Sequence, residues 1–263
     1  MIATTTATST ATTATAHTSG IHISLVAERI GDFLGLPITN TLLMSWVVVA
    51  LLTILGVHIG RGAKLVPNRV QTLFEMGFEY IYDYIAETLE SRDMARTFFP
   101  LVVTIFLFIF TGNLLEFIPG VGSIGFFEPS GAFTPLLRSM NTDLNMTLAL
   151  SIIAFGVIEI TGILAIGVWK YAGKFINVRS GVLGFFIGII DLVSELARLM
   201  SFSFRLFGNI FAGEVLITVI IFFVPYIAPV PLMLFELFVS FIQAVIFALL
   251  TLFFIKLAIA EPH

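Results

Sequence analysis

The sequence predicts an all-α membrane protein with five transmembrane helices and one amphipathic surface helix, its last two spans forming a long, oblique antiparallel hairpin. Three observations carry this. Charged residues make up 11% of the 263 and hydrophobic residues 58%, where a soluble domain carries about a quarter charged residues. Five stretches are long and apolar enough to span a bilayer, which takes about 20 residues. One of them, 182–224, is about twice as long as a perpendicular span requires.

The elements follow in order. Residues 1–20 are rich in Thr and Ala, with no basic start and no apolar stretch. They read as a flexible polar tail and not as a secretory signal. Residues 21–263 form a single integral membrane domain. A weakly amphipathic stretch over 23–36 precedes the first span at 41–60. From 67 to 92 the apolar residues Val70, Leu73, Phe74, Phe78, Ile81, Ile85 and Leu89 recur every three or four positions among Glu75, Glu79, Asp83, Glu87 and Glu90. That is an amphipathic helix opening at Pro67, suited to the membrane face or a partner. The remaining spans cover 98–119, 145–169, 182–224 and 231–258. Pro225, Pro229 and Pro231 punctuate the turn between the last two.

Lys and Arg set the predicted orientation. Arg61, Lys64, Arg69, Arg92 and Arg96 lie between the first two spans, Lys170, Lys174 and Arg179 between the third and fourth, and Lys256 closes the fifth. Arg29 and Arg138 stand on the other side. The positive-inside rule then puts the N-terminus outside and the C-terminus in the cytoplasm. An odd number of crossings follows, so 182–224 crosses once, as one oblique helix of about 65 Å.

Several functions are disfavoured. There is no Cys, and the four His residues are scattered without metal-site spacing. No cofactor is expected. A net charge of −4 argues against binding nucleic acid. A stand-alone transporter would show internal repeats with broken helices, and none is visible. An intramembrane enzyme would need a His pair or a Ser/His pair in the spans, which is also missing.

The ionisable residues left inside the membrane are the functional candidates, because each costs a few kcal/mol there. At about 100° per residue, Asp191, Glu195, Arg198, Arg205 and Asn209 fall on one stripe about 80° wide along the fourth span. Glu214 lies on another face. Arg205 is about 21 Å along the axis from Asp191 and about 13 Å from Glu214, with no acid one turn away. On the last helix Glu236, Ser240 and Gln243 share a face. The antiparallel turn puts Glu214 and Glu236 toward the outer side, Gln243 near the depth of Arg205, and Asp191 and Glu195 toward the cytoplasm. Other positions have two readings each. Glu195 and Arg198 are spaced for a local ion pair. Glu116 either caps the second span or lines a path, Asp143 is favoured as the cap of the third, and Glu159 either borders water or is a protonated structural group. Lys256 reads as an interface anchor.

The run Phe204-Arg205-Leu206-Phe207-Gly208-Asn209-Ile210-Phe211-Ala212-Gly213-Glu214 closely resembles the signature of subunit a of F-type ATP synthases. Asn113-Leu114-Leu115-Glu116 and Asp143-Leu144-Asn145-Met146-Thr147 are similar to the same family's second and third spans, and Gln243 matches its recurrent glutamine. The resemblance implies a non-catalytic stator facing a ring of small hairpin subunits, the c-ring, each with one mid-membrane carboxylate. It implies that Arg205 faces that carboxylate. The outer half-channel would use Glu214, Glu236, Glu116 and Asn209, and the cytoplasmic one Asp191 and Glu195. Glu195 enters through its place on the stripe, not through the motif. Many family members carry His where Glu236 stands, so this position departs from a common pattern. The implied partners are the c-ring, a peripheral-stalk subunit b and the lipid bilayer, and the implied location is a bacterial plasma membrane.

Overall fold

A computed structural model of the chain describes residues 27–33, 35–62, 64, 67–118, 120–127, 133–175 and 181–259. The predicted tail at 1–20 and the beginning of the 23–36 stretch lie outside them. The helices are α1 (Asn40–Gly62), α2 (Arg69–Leu89), α3 (Arg92–Glu116), α4 (Leu144–Ile166), α5 (Val168–Phe175), α6 (Gly181–Phe223) and α7 (Pro229–Ile259). Five of them, α1, α3, α4, α6 and α7, are long and apolar enough to cross a membrane. The chain is an all-α membrane protein, and α2 is the amphipathic helix expected beside the spans.

Local chemistry explains where the boundaries moved. The 23–36 stretch is not helical in its described part. It forms a hairpin of β1 (Arg29–Phe33) and β2 (Leu36–Thr39). Gly31, Gly35 and Pro37 disfavour a helix there, and Gly35, with φ +82°, makes the turn. Helix α2 opens at Arg69 and not at Pro67. Asn68 is its cap, accepting a hydrogen bond from the Gln71 amide at 2.8 Å. Helix α3 starts six residues before the predicted span, because Ser91 caps it. The third span stops at Ile166, since Gly167 takes φ +92° and the chain restarts as α5. Asp143 does cap α4, accepting from the Asn145 amide at 3.0 Å.

Two further small elements lie between α3 and α4. The strands β3 (Gly125–Phe127) and β4 (Phe133–Pro135) pair antiparallel, and a 3-10 turn follows at Met140–Thr142. These, with β1–β2 and the turn after α6, make up the hairpin end of the molecule. The opposite, basic end carries Arg61, Lys64, Arg69, Arg92, Arg96, Lys170 and Lys256.

Helix α6 runs 43 residues without a break, about 65 Å, against a hydrocarbon core of about 30 Å. It pairs antiparallel with α7. Gly213 meets Glu236, Asn209 meets Gln243, and Phe202 meets Phe247 and Phe254, so the residue numbers of the two helices run in opposite directions. Helix α7 is the centre of the bundle. Its Ala244 and Phe247 pack with Ile105, Ile109, Ala154, Leu206 and Ile210, while Ala248, Leu252 and Ile255 pack with Ile85, Val102 and Ile158. The other side of α6 is uncovered. Ile187, Ile190, Val193, Leu196, Met200 and Phe204 are all exposed on it.

Candidate ion path through the membrane

Arg205 sits on the uncovered side of α6. Its side chain is exposed, and among the described residues its one hydrogen bond goes from Nη2 to Ser201 Oγ at 3.1 Å. No described carboxylate pairs with it. One turn toward the hairpin end, Asn209 is also exposed and donates to Gln243 Oε1 at 2.7 Å. Gln243 is buried, and its Nε2 has no hydrogen-bond partner among the described residues. The Asn209–Gln243 bond ties α6 to α7 at the depth of the arginine and fixes which way the amides point. Asp191, half-exposed, is toward the basic end of the same helix.

The hairpin end holds a second group of charges. Glu116, the last residue of α3, borders a cavity of about 370 Å³ together with Glu28, Arg138, Ser139, Glu214 and Thr218. It lies within electrostatic reach of Glu214, Glu236 and Arg138. Arg138 grips Glu214 with both ends of its fork, Nε to Oε1 at 3.2 Å and Nη2 to Oε2 at 3.0 Å. Bidentate pairs of this kind are stronger and more directional than single contacts. Arg138 is only 9% exposed, so this is not a surface pair.

Glu236 differs from Glu214. It is 6% exposed, with no hydrogen bond or ion pair to any described residue. It packs against the backbone of Gly213, where a Cβ would overlap its carboxylate. The glycine before Glu214 thus makes the room that Glu236 occupies. Ser240 and Gln243 follow Glu236 on the same buried face of α7.

Glu195 turns inward. It is 4% exposed and paired with Arg198 at 2.5 Å, the local ion pair foreseen from their spacing. It therefore leaves the exposed stripe that Arg205 and Asn209 share. The Arg198 guanidinium lies over the Phe254 ring, 4.2 Å from its centroid, which combines a cation–π contact with shielding. Glu159 accepts from the Tyr171 hydroxyl at 2.6 Å. Lys256 is tied to Glu90 at 2.8 Å.

The helical spacing put Arg205 and Asn209 on one stripe with Asp191, Glu195 and Arg198, and Gln243 at a similar depth, while the family resemblance grouped Glu116, Glu214 and Glu236 with Asn209. Sequence reasoning missed Arg138, which looked like a loop charge marking the far side. A signal was present. Glu214 is an acid near that side with no cation one turn away on its own helix, and Arg138 and Arg29 are the two basic residues assigned there. It also missed Tyr171, because a single phenol just past a predicted span carries no periodic signal.

A family model described as ATP synthase A chain matches residues 42–256. The chain is similar to ATP synthase subunit a of Geotalea daltonii, 32% identical over 221 residues, which is 83% of this chain and 87% of that one. It is also similar to ATP synthase subunit a of a Sulfurihydrogenibium species, 32% identical over 84% of this chain and 97% of the relative. The same-named protein of Campylobacter jejuni is 36% identical over 191 residues, 73% of this chain and 77% of that protein.

Proposed function

The chain belongs to the ATP synthase A chain family, as subunit a of an F-type ATP synthase, and from that premise we propose that it is the fixed partner of a rotating c-ring, lining two aqueous half-channels and coupling proton flow to rotation. The observation that carries this reading is Arg205. It is exposed on the uncovered side of α6, with Ser201 as its one hydrogen-bonded neighbour and no carboxylate among the described residues. Its ionic partner then lies on another subunit.

The chemistry follows from that placement. A guanidinium keeps its proton, and in low dielectric it favours the ionised form of a facing carboxylate. A ring carboxyl arriving at Arg205 releases its proton toward Asp191 and Glu195. After passing the arginine it is reprotonated from the other side and re-enters lipid neutral. Glu236 and Glu116 supply protons on that outer side, with Asn209 and Gln243 lining the last step. Glu214, clamped by Arg138, is held in place beside them. The fixed charge of Arg205 stops protons from crossing between the paths without turning the ring. Each charge moved is driven by about 2.3 kcal/mol per 100 mV.

The chain carries no catalytic role in ATP chemistry in this reading. It is a multi-pass protein of a bacterial plasma membrane, with the basic end in the cytoplasm and the N-terminus outside. The bacterial relatives and the charge asymmetry support this. Helix α2, exposed along its first half, faces the peripheral-stalk subunit b. The test is Arg205→Ala in the assembled complex. It abolishes ATP-driven proton pumping in membrane vesicles while the chain still assembles. Normal coupled pumping in that variant rejects the reading.

A further inference from the structure

We propose that Glu159 is a proton-exchange group on the inward side of Arg205, reached through the space between α6 and α7; this deepens the reading above and rests on it. A cavity of about 280 Å³ begins at Arg205 and continues past Ser201 to Arg198, closed on the α7 side by Leu250 and Phe254. At its far end Arg198 is held by Glu195 on one side and the Phe254 ring on the other. Glu195 and Arg198 both act electrostatically on Tyr171 of α5. Tyr171 in turn donates to Glu159 Oε2. Polar groups from α6, α5 and α4 thus follow one another from the arginine toward the basic end.

The way Glu159 is held separates exchange from mere structure. Its Oε1 is buried and has no hydrogen-bond partner among the described residues. A buried polar atom left unpaired costs about 1–3 kcal/mol, a cost with no benefit if the side chain serves only to anchor Tyr171. An amide oxygen would accept that bond equally well. Tyr171 is fixed by shape as well as by its hydroxyl. Its ring fills the notch left by Gly162, where a Cβ would overlap it. Burial, reinforced by the bond to Glu159, pushes the Tyr171 hydroxyl above its ordinary value, so it stays a donor. One oxygen of the carboxyl is therefore occupied, and the other is buried with its hydrogen-bonding capacity unused among the described residues. The proton passes to Oε1 from the Arg198 side and leaves from the same oxygen toward the basic end. Tyr171 does not change its protonation.

The experiment is Glu159→Gln in the complete complex. Passive proton conduction through the membrane sector is measured after the catalytic head is stripped, alongside the amount of chain that co-purifies with the complex. The amide keeps the bond from Tyr171 and removes the exchangeable proton. Exchange predicts loss of most of the conduction at undiminished assembly, and wild-type conduction overturns the inference. Should Glu159→Gln fail to assemble, Glu159→Asp decides. Drawing the carboxyl back by one methylene slows conduction if Glu159 exchanges protons, whereas wild-type conduction again overturns it. Arg205→Ala measured in parallel keeps the two readings apart. If it abolishes ATP-driven pumping while Glu159→Gln is silent, this inference alone falls. If Arg205→Ala pumps normally, the parent reading falls.

Discussion

Glu214 and Glu236 are carboxylates near the same end of the bundle, and their surroundings differ sharply. Glu214 is held by the fork of Arg138, and Glu236 presses on Gly213 with no hydrogen-bond or ionic partner among the described residues. Removing one side of the first pair leaves a desolvated charge, so Arg138→Ala costs about 2 kcal/mol. Arg138→Lys recovers only part of it, because an ammonium cannot match both carboxylate oxygens. Thermal unfolding of the detergent-solubilised protein measures both. The second contact predicts a change of sign. Gly213→Ala alone overpacks the site and costs about 1–3 kcal/mol. In a Glu236→Ala background the obstruction is gone, and the same change gains up to about 1 kcal/mol from helix propensity. Additive effects in the double-mutant cycle reject the close contact. At this scale the sequence disclosed whatever was anomalous on its own helix. Arg205 was legible because nothing one turn away explains it. Arg138 was not, since its partner is 76 residues on and only the fold joins them.

The long helices were legible to within a few residues, because twenty apolar residues in a row admit few other readings. Their ends were not, since ends depend on single caps and turns. Asp143 shows what a cap does beyond its own helix. One oxygen accepts from the Asn145 amide and the other from the Thr41 hydroxyl, each at 3.0 Å, so the cap of α4 also pins the start of α1. Asp143→Ala removes both and costs about 2 kcal/mol, while Asp143→Asn, which keeps an acceptor, costs far less. A melting-temperature series distinguishes them. At the basic end, Lys256 joins α7 to the C-cap of α2 through Glu90. The hydrogen bond and charge of Lys256 hold the Glu90 carboxyl below its ordinary value. A depressed acid contributes stability above its unfolded-state value and loses it as pH falls through the folded one. The end of α2 therefore loosens as pH falls below the ordinary glutamate value of about 4.5 and in salt, and Lys256→Met removes that dependence. Amide exchange across residues 85–90 reads it out.

Across the whole molecule the basic residues collect at one end, and the proposed orientation turns this into a labelling experiment. The chain has no native Cys, so Lys64→Cys and Ser123→Cys, both exposed, each introduce a single thiol. An impermeant maleimide reaches Ser123→Cys in right-side-out vesicles and Lys64→Cys in inverted ones; the reverse pattern refutes the orientation. What composition could not convey is which apolar faces meet each other and which stay bare. The core residues of α7 and the exposed ones of α6 are the same residue types, separated only by packing. The bare side of α6 has a consequence for biogenesis. A guanidinium turned toward lipid costs about 2.5–3.5 kcal/mol, roughly a hundredfold in occupancy. A newly inserted copy that has met no neighbour is therefore an uncomfortable resident of the bilayer, drawing in water and lipid headgroups around residue 205. In the proposed role, the side chain that would serve the finished machine also marks the orphan, and covering it would reward assembly before any proton has moved.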